Sequence, residues 1–184
     1  MAQFTKKAIA ESVIKLLNEK PLDKITVKAI VEDCGINRNT FYYHFEDIPT
    51  LVKCILDAET EKVLLGTEDV DSWEDGFIAA SQFAIQNKKF VYHIYNSVRR
   101  EEVERYLNNI AGEVMRRYVE TASVGICVKE EDKMLIVDFY KQALVGMVRE
   151  WLDSGMKYDP VLLIRRLGVI LKGNIEAALQ NMTD

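Results

Sequence analysis

Apolar residues recur along this chain at the three- and four-residue spacing of an amphipathic helix. Ile9, Val13, Leu16 and Leu17 form such a stripe over residues 5–19, which predicts a helix there. Comparable patterns predict helices over residues 47–64, 72–86, 88–98, 101–123, 130–154 and 160–180. Together with two short helices between residues 26 and 45, the pattern predicts an all-α chain of about nine helices.

The segment 26–45 predicts two short helices joined by a tight turn. Thr26 is a suitable N-cap for the first helix, and Gly35 follows that helix where a positive φ is needed. Asn37 is a suitable N-cap for the second helix, which is expected over residues 38–44.

The second of these helices has an apolar face and a polar, aromatic face. Phe41 and Phe45 lie four residues apart and are expected to pack against the first helix. Arginine and asparagine side chains in the first turn, at positions 38 and 39, suit guanine and adenine edges. The alternative is a plain helical hairpin in which Tyr42, Tyr43 and His44 only pack. The pattern favours a helix that enters the major groove of DNA.

The pattern T-V-x-x-I-x-x-x-x-G-I-x-x-x-T-F-Y-x-H-F, from Thr26 to Phe45, resembles the signature of the TetR family of bacterial transcriptional regulators. The preceding helix and the segment Lys20-Pro21-Leu22 fit as well, so the resemblance covers about residues 5–62. It implies an N-terminal three-helix DNA-binding domain with a helix-turn-helix and a helical C-terminal domain for ligand binding and dimerisation.

The resemblance implies a role for each residue that faces DNA. The residues that would contact base edges are Lys28, Arg38, Asn39 and Tyr42. The residues that would contact phosphates are Thr26, Thr40, Tyr43 and His44; for His44, a packing role is an equal alternative.

The chain departs from the family pattern at Ile48, where a lysine that contacts phosphate is usual. Asp47 is the expected N-cap of the next helix, whose N-terminus can still attract a phosphate. We therefore expect weaker non-specific DNA binding than is typical of the family.

The charge distribution is compatible with DNA binding despite a formal net charge of −5. Residues 1–50 hold seven basic and seven acidic side chains, so the acidic excess lies in the remainder. A local basic surface can bind DNA on an acidic protein. Its expected contributors are Lys6, Lys7, Lys28 and Arg38.

Three cysteines have neither metal-ligand spacing nor the pattern of a disulfide framework. Cys34 and Cys54 are expected to be buried as small hydrophobic residues, and a redox-sensing thiol stays open. The sequence has no apolar signal-peptide core and no run of 18 apolar residues, so a cytoplasmic location is expected. No cofactor or metal is expected.

The enzyme hypothesis has little in its favour. The sequence lacks a phosphate-binding glycine loop and the motifs G-x-S-x-G and H-E-x-x-H. Its two histidines and scattered carboxylates suggest no catalytic pairing, so we expect that the protein is not an enzyme.

The chain is expected to divide into two domains in chain order. Residues 1–47 form the helix-turn-helix domain, residues 48–64 a linking helix, and residues 65–184 the ligand-binding and dimerisation domain. An acidic loop over residues 66–71 marks the boundary, and Ser72 with Asp75 forms a capping box for the helix that follows.

The last helices predict a homodimer. The segment F-Y-x-x-A-x-x-G-x-x-x-x-W-L-x-x-G, from Phe139 to Gly155, resembles the C-terminal domain of a TetR subgroup that includes the dihydroxyacetone kinase regulator. Gly146 lies mid-helix, where close approach of another helix would compensate its low helix propensity. The residues expected at the dimer interface are Phe139, Gly146, Trp151, Leu163, Leu167 and Ile170.

Aromatic and methionine side chains of the C-terminal region are candidates for an effector pocket, although each also fits plain core packing. They are Trp73, Phe77, Phe90, His93, Tyr95, Tyr106, Met115, Tyr118, Met134 and Tyr140. The effector is a small molecule that the sequence does not identify.

The sequence thus predicts a DNA-binding transcriptional regulator, with repression as the family default. It would bind a palindromic operator as a homodimer and be released by a small-molecule effector. The alternative is a co-regulator with the same fold that acts by protein–protein contact and has no DNA target of its own. The side chains of Lys28, Arg38 and Asn39 favour DNA binding.

Overall fold

The computed structural model describes residues 2–66, 72–97, 99–171 and 173–183. These residues form ten α-helices, one short 3-10 helix (Leu22–Lys24) and no β-strand. The α-helices are α1 (Ala2–Glu19), α2 (Val27–Cys34), α3 (Arg38–His44), α4 (Ile48–Gly66), α5 (Trp73–Gln86), α6 (Lys88–Tyr95), α7 (Arg100–Ala122), α8 (Glu130–Asp153), α9 (Pro160–Leu171) and α10 (Asn174–Asn181). The predicted all-α fold is confirmed.

Several predicted boundaries differ from the structure. Helix α1 begins at Ala2 and not at residue 5, and α6 ends at Tyr95 and not at residue 98. The last predicted helix is divided into α9 and α10, because Gly173 adopts a left-handed conformation with φ 76° that an α-helix cannot continue. Helix α4 extends through Gly66, the first residue of the predicted acidic loop. The rest of that loop, residues 67–71, lies outside the described residues.

The chain packs into two compact units that do not follow chain order. The first unit comprises Met1–Glu59 and Phe83–Tyr106, and the second comprises Thr60–Gln82 and Leu107–Asp184. This grouping differs from the division expected from the sequence, because α6 packs against α1.

The core of the first unit is built from the predicted apolar stripe of α1 and from α2, α3, α4 and α6. Ile9, Val13 and Leu17 of α1 are fully buried, as the spacing predicted. The other helices contribute Ile30, Val31, Phe41, Leu51, Val52, Ile55, Leu56, Phe90, Val91, Ile94 and Tyr95. Each such side chain contributes about 1.5–3 kcal/mol through removal from water.

Polar contacts add to the packing of α2 on α1. Lys15 Nζ lies 2.5 Å from Asp33 Oδ1, and Cys34 Sγ donates to the carbonyl of Ala8 at 3.5 Å. Cys34 is half-buried, and burial raises the pKa of its thiol.

The predicted burial of Cys54 was wrong, because its side chain is exposed. Leu51, Val52, Ile55 and Leu56 form the buried side of α4. Position 54 lies about 100° from Ile55 on the helix and faces away from that side.

The second unit has its own core, and the predicted N-cap of α5, Ser72, is confirmed there, although Asp75 pairs with the Ser72 hydroxyl group and not with its backbone N–H. Ser72 Oγ accepts a hydrogen bond from Asp75 N at 3.2 Å and donates to Asp75 Oδ2 at 2.8 Å. Residues that fill this core include Trp73, Phe77, Val114, Met115, Tyr140, Leu144, Trp151, Leu152, Ile164, Ile175 and Leu179.

Within the described chain a close approach to a helix glycine occurs at Gly168, and the approach expected at Gly146, a residue of the predicted dimer interface, stays a prediction. A Cβ at Gly146 would have nothing within 4 Å in its own chain, whereas a Cβ at Gly168 would overlap the Glu74 side chain. The glycine of α9 thus admits the start of α5, and the open side of Gly146 faces solvent.

None of the described helices combines the length with the low charge that a bilayer span requires.

Asp33→Asn is expected to lower the free energy of unfolding at pH 7, because it breaks the ion pair between α1 and α2. The hydrogen bond from Lys15 lowers the pKa of Asp33 below its ordinary value. A carboxylate with a lowered folded-state pKa stabilises the fold above its unfolded-state pKa, and this contribution is lost as the pH falls through the folded-state pKa. The difference between variant and wild type should therefore shrink in urea unfolding from pH 7 down to about pH 3.5.

Glu32→Gln is the control for this measurement, since it removes the exposed partner of Lys28 on a single helix. It should change the free energy of unfolding little at any pH. A deficit of Asp33→Asn that stays constant with pH would contradict the interpretation.

Candidate nucleic-acid interface

Helix α2 is capped at both ends as the sequence predicted. Thr26 has an extended backbone, and its Oγ1 accepts a hydrogen bond from Ala29 N at 3.2 Å. Gly35 ends the helix with φ 66° and ψ 31°. Because a side chain at this φ is unfavourable, glycine lets the chain turn directly towards α3.

Helix α3 begins at the predicted N-cap. Asn37 Oδ1 accepts hydrogen bonds from Thr40 N at 2.8 Å and from Thr40 Oγ1 at 3.0 Å. The helix is only seven residues long, and Phe45 returns to an extended backbone. So short a helix is stabilised mainly by packing rather than by its own propensity.

The inner face of α3 carries the expected phenylalanine pair. Phe41 is fully buried, Phe45 is nearly so, and their ring centroids lie 6.1 Å apart. Burial of both rings fixes the rotation of α3 about its axis.

The outer face carries the predicted DNA-facing side chains. Arg38 and Asn39 are exposed, as are 54% of Tyr42 and 80% of Tyr43. Thr40 and His44 are half-buried. The Tyr42 ring meets the buried Phe41 ring edge-on at 5.4 Å, and Tyr43 meets His44 in the same way at 5.0 Å.

The two threonines differ in their hydroxyl groups. Thr26 Oγ1 accepts a hydrogen bond from a backbone N–H, which leaves its own hydroxyl proton to be donated elsewhere. Thr40 donates its hydroxyl proton to Asn37. A phosphate contact from Thr40 therefore requires the hydroxyl to rotate, whereas Thr26 can donate as it stands.

Carboxylates lie close to most lysines of this region. Lys28 Nζ is 3.8 Å from Glu32, Lys7 Nζ is 3.7 Å from Glu11, and Lys15 pairs with Asp33. Among the described residues Arg38 has no such ion pair. Among the same residues Lys6, whose Nζ lies 5.9 Å from the centroid of the Phe45 ring, has none either, so the positive potential of the surface depends strongly on Arg38 and Lys6.

The start of α4 carries a carboxylate. Asp47 Oδ1 accepts a hydrogen bond from Thr50 N at 2.7 Å, which confirms the predicted N-cap. Hydrogen bonds from Thr50 lower the pKa of Asp47, so it is charged at neutral pH. This negative group occupies the N–H that a phosphate would use, and Ile48 beside it offers no charge. The expected attraction of phosphate to this helix end is therefore weakened.

The residues predicted for an effector pocket fall into both compact units. Phe90, His93, Tyr95 and Tyr106 belong to the first, and Trp73, Phe77, Met115, Tyr118 and Tyr140 to the second. Met134 also belongs to the second unit but is 61% exposed. It lines a groove of 190 Å³ between α7 and α8, together with charged residues such as Arg116, Glu120 and Lys133.

Within the first unit, two of these side chains have partners in the fold. His93 Nδ1 lies 2.7 Å from the carbonyl oxygen of Leu17. The Arg100 guanidinium lies 4.1 Å from the centroid of the Tyr95 ring and donates to its hydroxyl group. Burial raises the pKa of Tyr106, whose hydroxyl has no hydrogen-bond partner among the described residues.

In the second unit, Tyr118 forms a polar contact that sequence reasoning missed. Its hydroxyl donates to Glu176 Oε1 at 2.7 Å. Burial and this hydrogen bond raise the pKa of Tyr118 to about 12. Glu176 Oε2 is buried without a hydrogen-bond partner in the described part of the chain. No local pattern in α10 marks Glu176, because its partner is 58 residues away.

Two protein-family models match this chain. The model described as bacterial regulatory proteins, tetR family, matches residues 6–53. The model described as transcriptional regulator C-terminal region matches residues 71–173. No curated protein matches the chain in sequence.

Solved structures share the fold at low sequence identity. The dihydroxyacetone kinase operon activator DhaS superposes with a TM-score of 0.79 at 17% identity, over 98% of both chains. A putative tetR family transcription regulator from Shewanella sp. PV-4 gives 0.52 at 15%, over 97% of both chains. A TetR transcriptional regulator from Rhodococcus sp. RHA1 gives 0.55 at 13%, over 99% of this chain and 97% of that one.

The C-terminal family model alone spans more than half of the chain, the N-terminal model spans the helix-turn-helix, and the three structures have the same fold. The chain therefore belongs to the TetR family of transcriptional regulators.

Proposed function

We propose that this protein is a cytoplasmic repressor that binds a palindromic DNA operator as a homodimer and is released by a small-molecule effector. The outer face of α3 is the observation that carries the proposal. Capping by Asn37 and burial of Phe41 orient this helix, so that Arg38 and Asn39 project from its first turn into solvent.

In this proposal the side chains divide between base edges and phosphates. Arg38 and Asn39 read bases, with Tyr42 and Lys28 beside them. Tyr43 and Thr26 hold phosphates, because both present hydroxyl groups at the exposed edge of the motif. Thr40 and His44 join them at the half-buried edge of α3.

The proposed dimer interface lies on α8 and α9. Phe139 is 68% exposed, and Leu135, Leu162, Val169 and Ile170 are also largely exposed. Large exposed apolar side chains on two consecutive helices are typical of an interface, and a second copy of the chain would cover them under two-fold symmetry. The open side of Gly146 leaves room for a partner helix.

The interface proposed here differs in part from the set expected from the sequence. Trp151 is 97% buried in its own chain, where its Nε1 donates to the carbonyl of Tyr158 at 2.9 Å. It is therefore left out, while the half-buried Leu163 and Leu167 contribute at the margin.

The effector site is proposed among Trp73, Phe77, Met115, Tyr118 and Tyr140 of the second unit. Glu176 joins this set through Tyr118. The site supplies apolar walls with a few polar groups, which is the usual composition of a small-molecule pocket.

A co-regulator without its own DNA target is the second candidate. The pairing of Lys7, Lys15 and Lys28 with carboxylates, and the charge of Asp47, favour it by weakening attraction to phosphate. The direction of regulation is a separate question, since one structure of the same fold is named an operon activator.

Arg38→Ala combined with Asn39→Ala is expected to weaken operator binding by about a hundredfold or more, because two base-reading side chains are removed. Footprinting of wild type on the DNA that flanks its gene locates the site and the half-site spacing, and gel shift then compares the variants.

The control combines Arg105→Ala with Asn96→Ala, which removes the same two side-chain types from exposed positions outside α3 and outside the proposed interface helices α8 and α9. This variant should bind like wild type. Wild type that protects no flanking DNA would favour the co-regulator instead.

Ile48→Lys is expected to raise DNA affinity at low salt, because it restores a cation beside Asp47. The plot of log K against log salt concentration should steepen by about 0.9 if one phosphate contact is gained. Fluorescence anisotropy over a salt series measures both quantities. Ile48→Gln, of similar length but uncharged, should leave the slope unchanged, and equal slopes for both variants would refute the explanation.

Phe139→Glu is expected to convert a dimer into a monomer, because it places a charge among the exposed apolar side chains of the proposed interface. Sedimentation velocity at micromolar concentration measures the change. Val124→Glu is the control, since Val124 is 80% exposed and lies outside α8 and α9. If the wild-type protein sediments as a monomer at this concentration, the proposed dimer is wrong.

A further inference from the structure

Helix α6 has no N-cap from its own sequence. Asn87 precedes the helix, but its side chain accepts no hydrogen bond from the first turn of α6. Its amide donates instead to the carbonyl of Phe83, near the end of α5, at 3.1 Å.

A side chain of α1 supplies the missing cap. Asn18 Oδ1 accepts a hydrogen bond from Phe90 N at 3.2 Å. Phe90 is the third residue of α6, the position whose N–H an N-cap ordinarily satisfies. The amide of Asn18 donates to Ile14 O at 3.0 Å and to Asn87 Oδ1 at 3.1 Å. A single asparagine thus joins α1 to the corner between α5 and α6.

Helix α6 also forms a hydrogen bond to the last turn of α1. His93 Nδ1 lies 2.7 Å from the carbonyl of Leu17, one of the last carbonyls of α1. That oxygen can only accept, so the proton of His93 is on Nδ1. Carbonyls in the last turn of a helix lack partners within the helix. The C-terminus of α1 therefore caps the N-terminus of α6 through Asn18, and His93 in the last turn of α6 caps the C-terminus of α1.

Helix α1 is also the support of the helix-turn-helix. It packs against α2, with Lys15 paired to Asp33 and Ala8 bonded to Cys34. Helix α2 in turn leads through Gly35 to α3. A shift of α1 relative to α6 would therefore move the support of the recognition helix.

We propose that Asn18 is a positioning residue for DNA binding. It fixes the position of α1, and with it the helix-turn-helix, relative to α6. This inference rests on the proposed DNA-binding function. Asn18 acts through its hydrogen bonds to Phe90 N and Asn87 Oδ1 and contacts no DNA itself.

Asn18→Ala in the full chain tests the proposal, with anisotropy on the footprinted operator as the readout. DNA affinity is expected to fall about tenfold through loss of the two cross-helix hydrogen bonds. The slope of log K against log salt should stay as in wild type, because no phosphate contact is lost. Hydrogen exchange at the Phe90 amide should accelerate in the same variant.

Asn96→Ala is the matched control. Asn96 donates the same local bond as Asn18, from its amide to the carbonyl four residues earlier, at 2.9 Å. Its DNA affinity and Phe90 exchange should equal those of wild type. Asn18→Asp is a second variant that keeps the acceptor for Phe90 N, and it should retain slow exchange there and bind DNA more tightly than Asn18→Ala.

If Asn18→Ala binds DNA with wild-type affinity, or if Asn96→Ala loses as much DNA affinity as Asn18→Ala, the proposed role of Asn18 is overturned and the proposed DNA-binding function is not affected. Absence of DNA binding by wild type would instead overturn the proposed function. If Asn18→Ala does not fold, Asn18→Asp is compared with wild type instead. Fast hydrogen exchange at the Phe90 amide together with unchanged DNA affinity in Asn18→Asp would overturn the proposal.

Discussion

Burial of Phe41 and Phe45 determines which side of α3 meets solvent, and the proposed function depends on that choice. A helix of seven residues has little stability of its own, so burial of these two rings helps to hold it in place. Because they occupy one face, Arg38, Asn39 and Tyr43 are directed outwards. The caps at Thr26 and Asn37 then fix where each helix begins, and Gly35 sets the angle between them.

Electrostatics contributes less to this surface than its number of lysines suggests. Lysines 7, 15 and 28 each have a carboxylate nearby, and Asp47 adds a negative charge at the start of α4. Recognition of DNA by such a surface would rely on hydrogen bonding and shape more than on long-range attraction. We therefore expect the DNA affinity to depend only weakly on salt concentration and strongly on DNA sequence.

The sequence predicted correctly those features that depend on residues close to one another in the chain. Caps, the positive φ of Gly35 and the buried face of α3 each depend on residues within a few positions of one another. Contacts across long stretches of chain were not predictable in this way: Glu74 against Gly168, Tyr118 with Glu176, and Asn18 with Asn87 have no local signature. The break at Gly173 was hidden because apolar residues continue at helical spacing on both sides of it.

The interleaved composition of the first unit has a consequence for biosynthesis. Its first segment ends at Glu59, but its second runs from Phe83 to Tyr106. At about 5–20 residues per second, the ribosome needs on the order of five to twenty seconds to make all of it. During that time α1 to α3 are synthesised before α6. The carbonyl of Leu17 in the last turn of α1 therefore lacks its hydrogen bond from His93 until α6 has been made. The DNA-binding unit is therefore completed only after Tyr106 has been translated, well after α3.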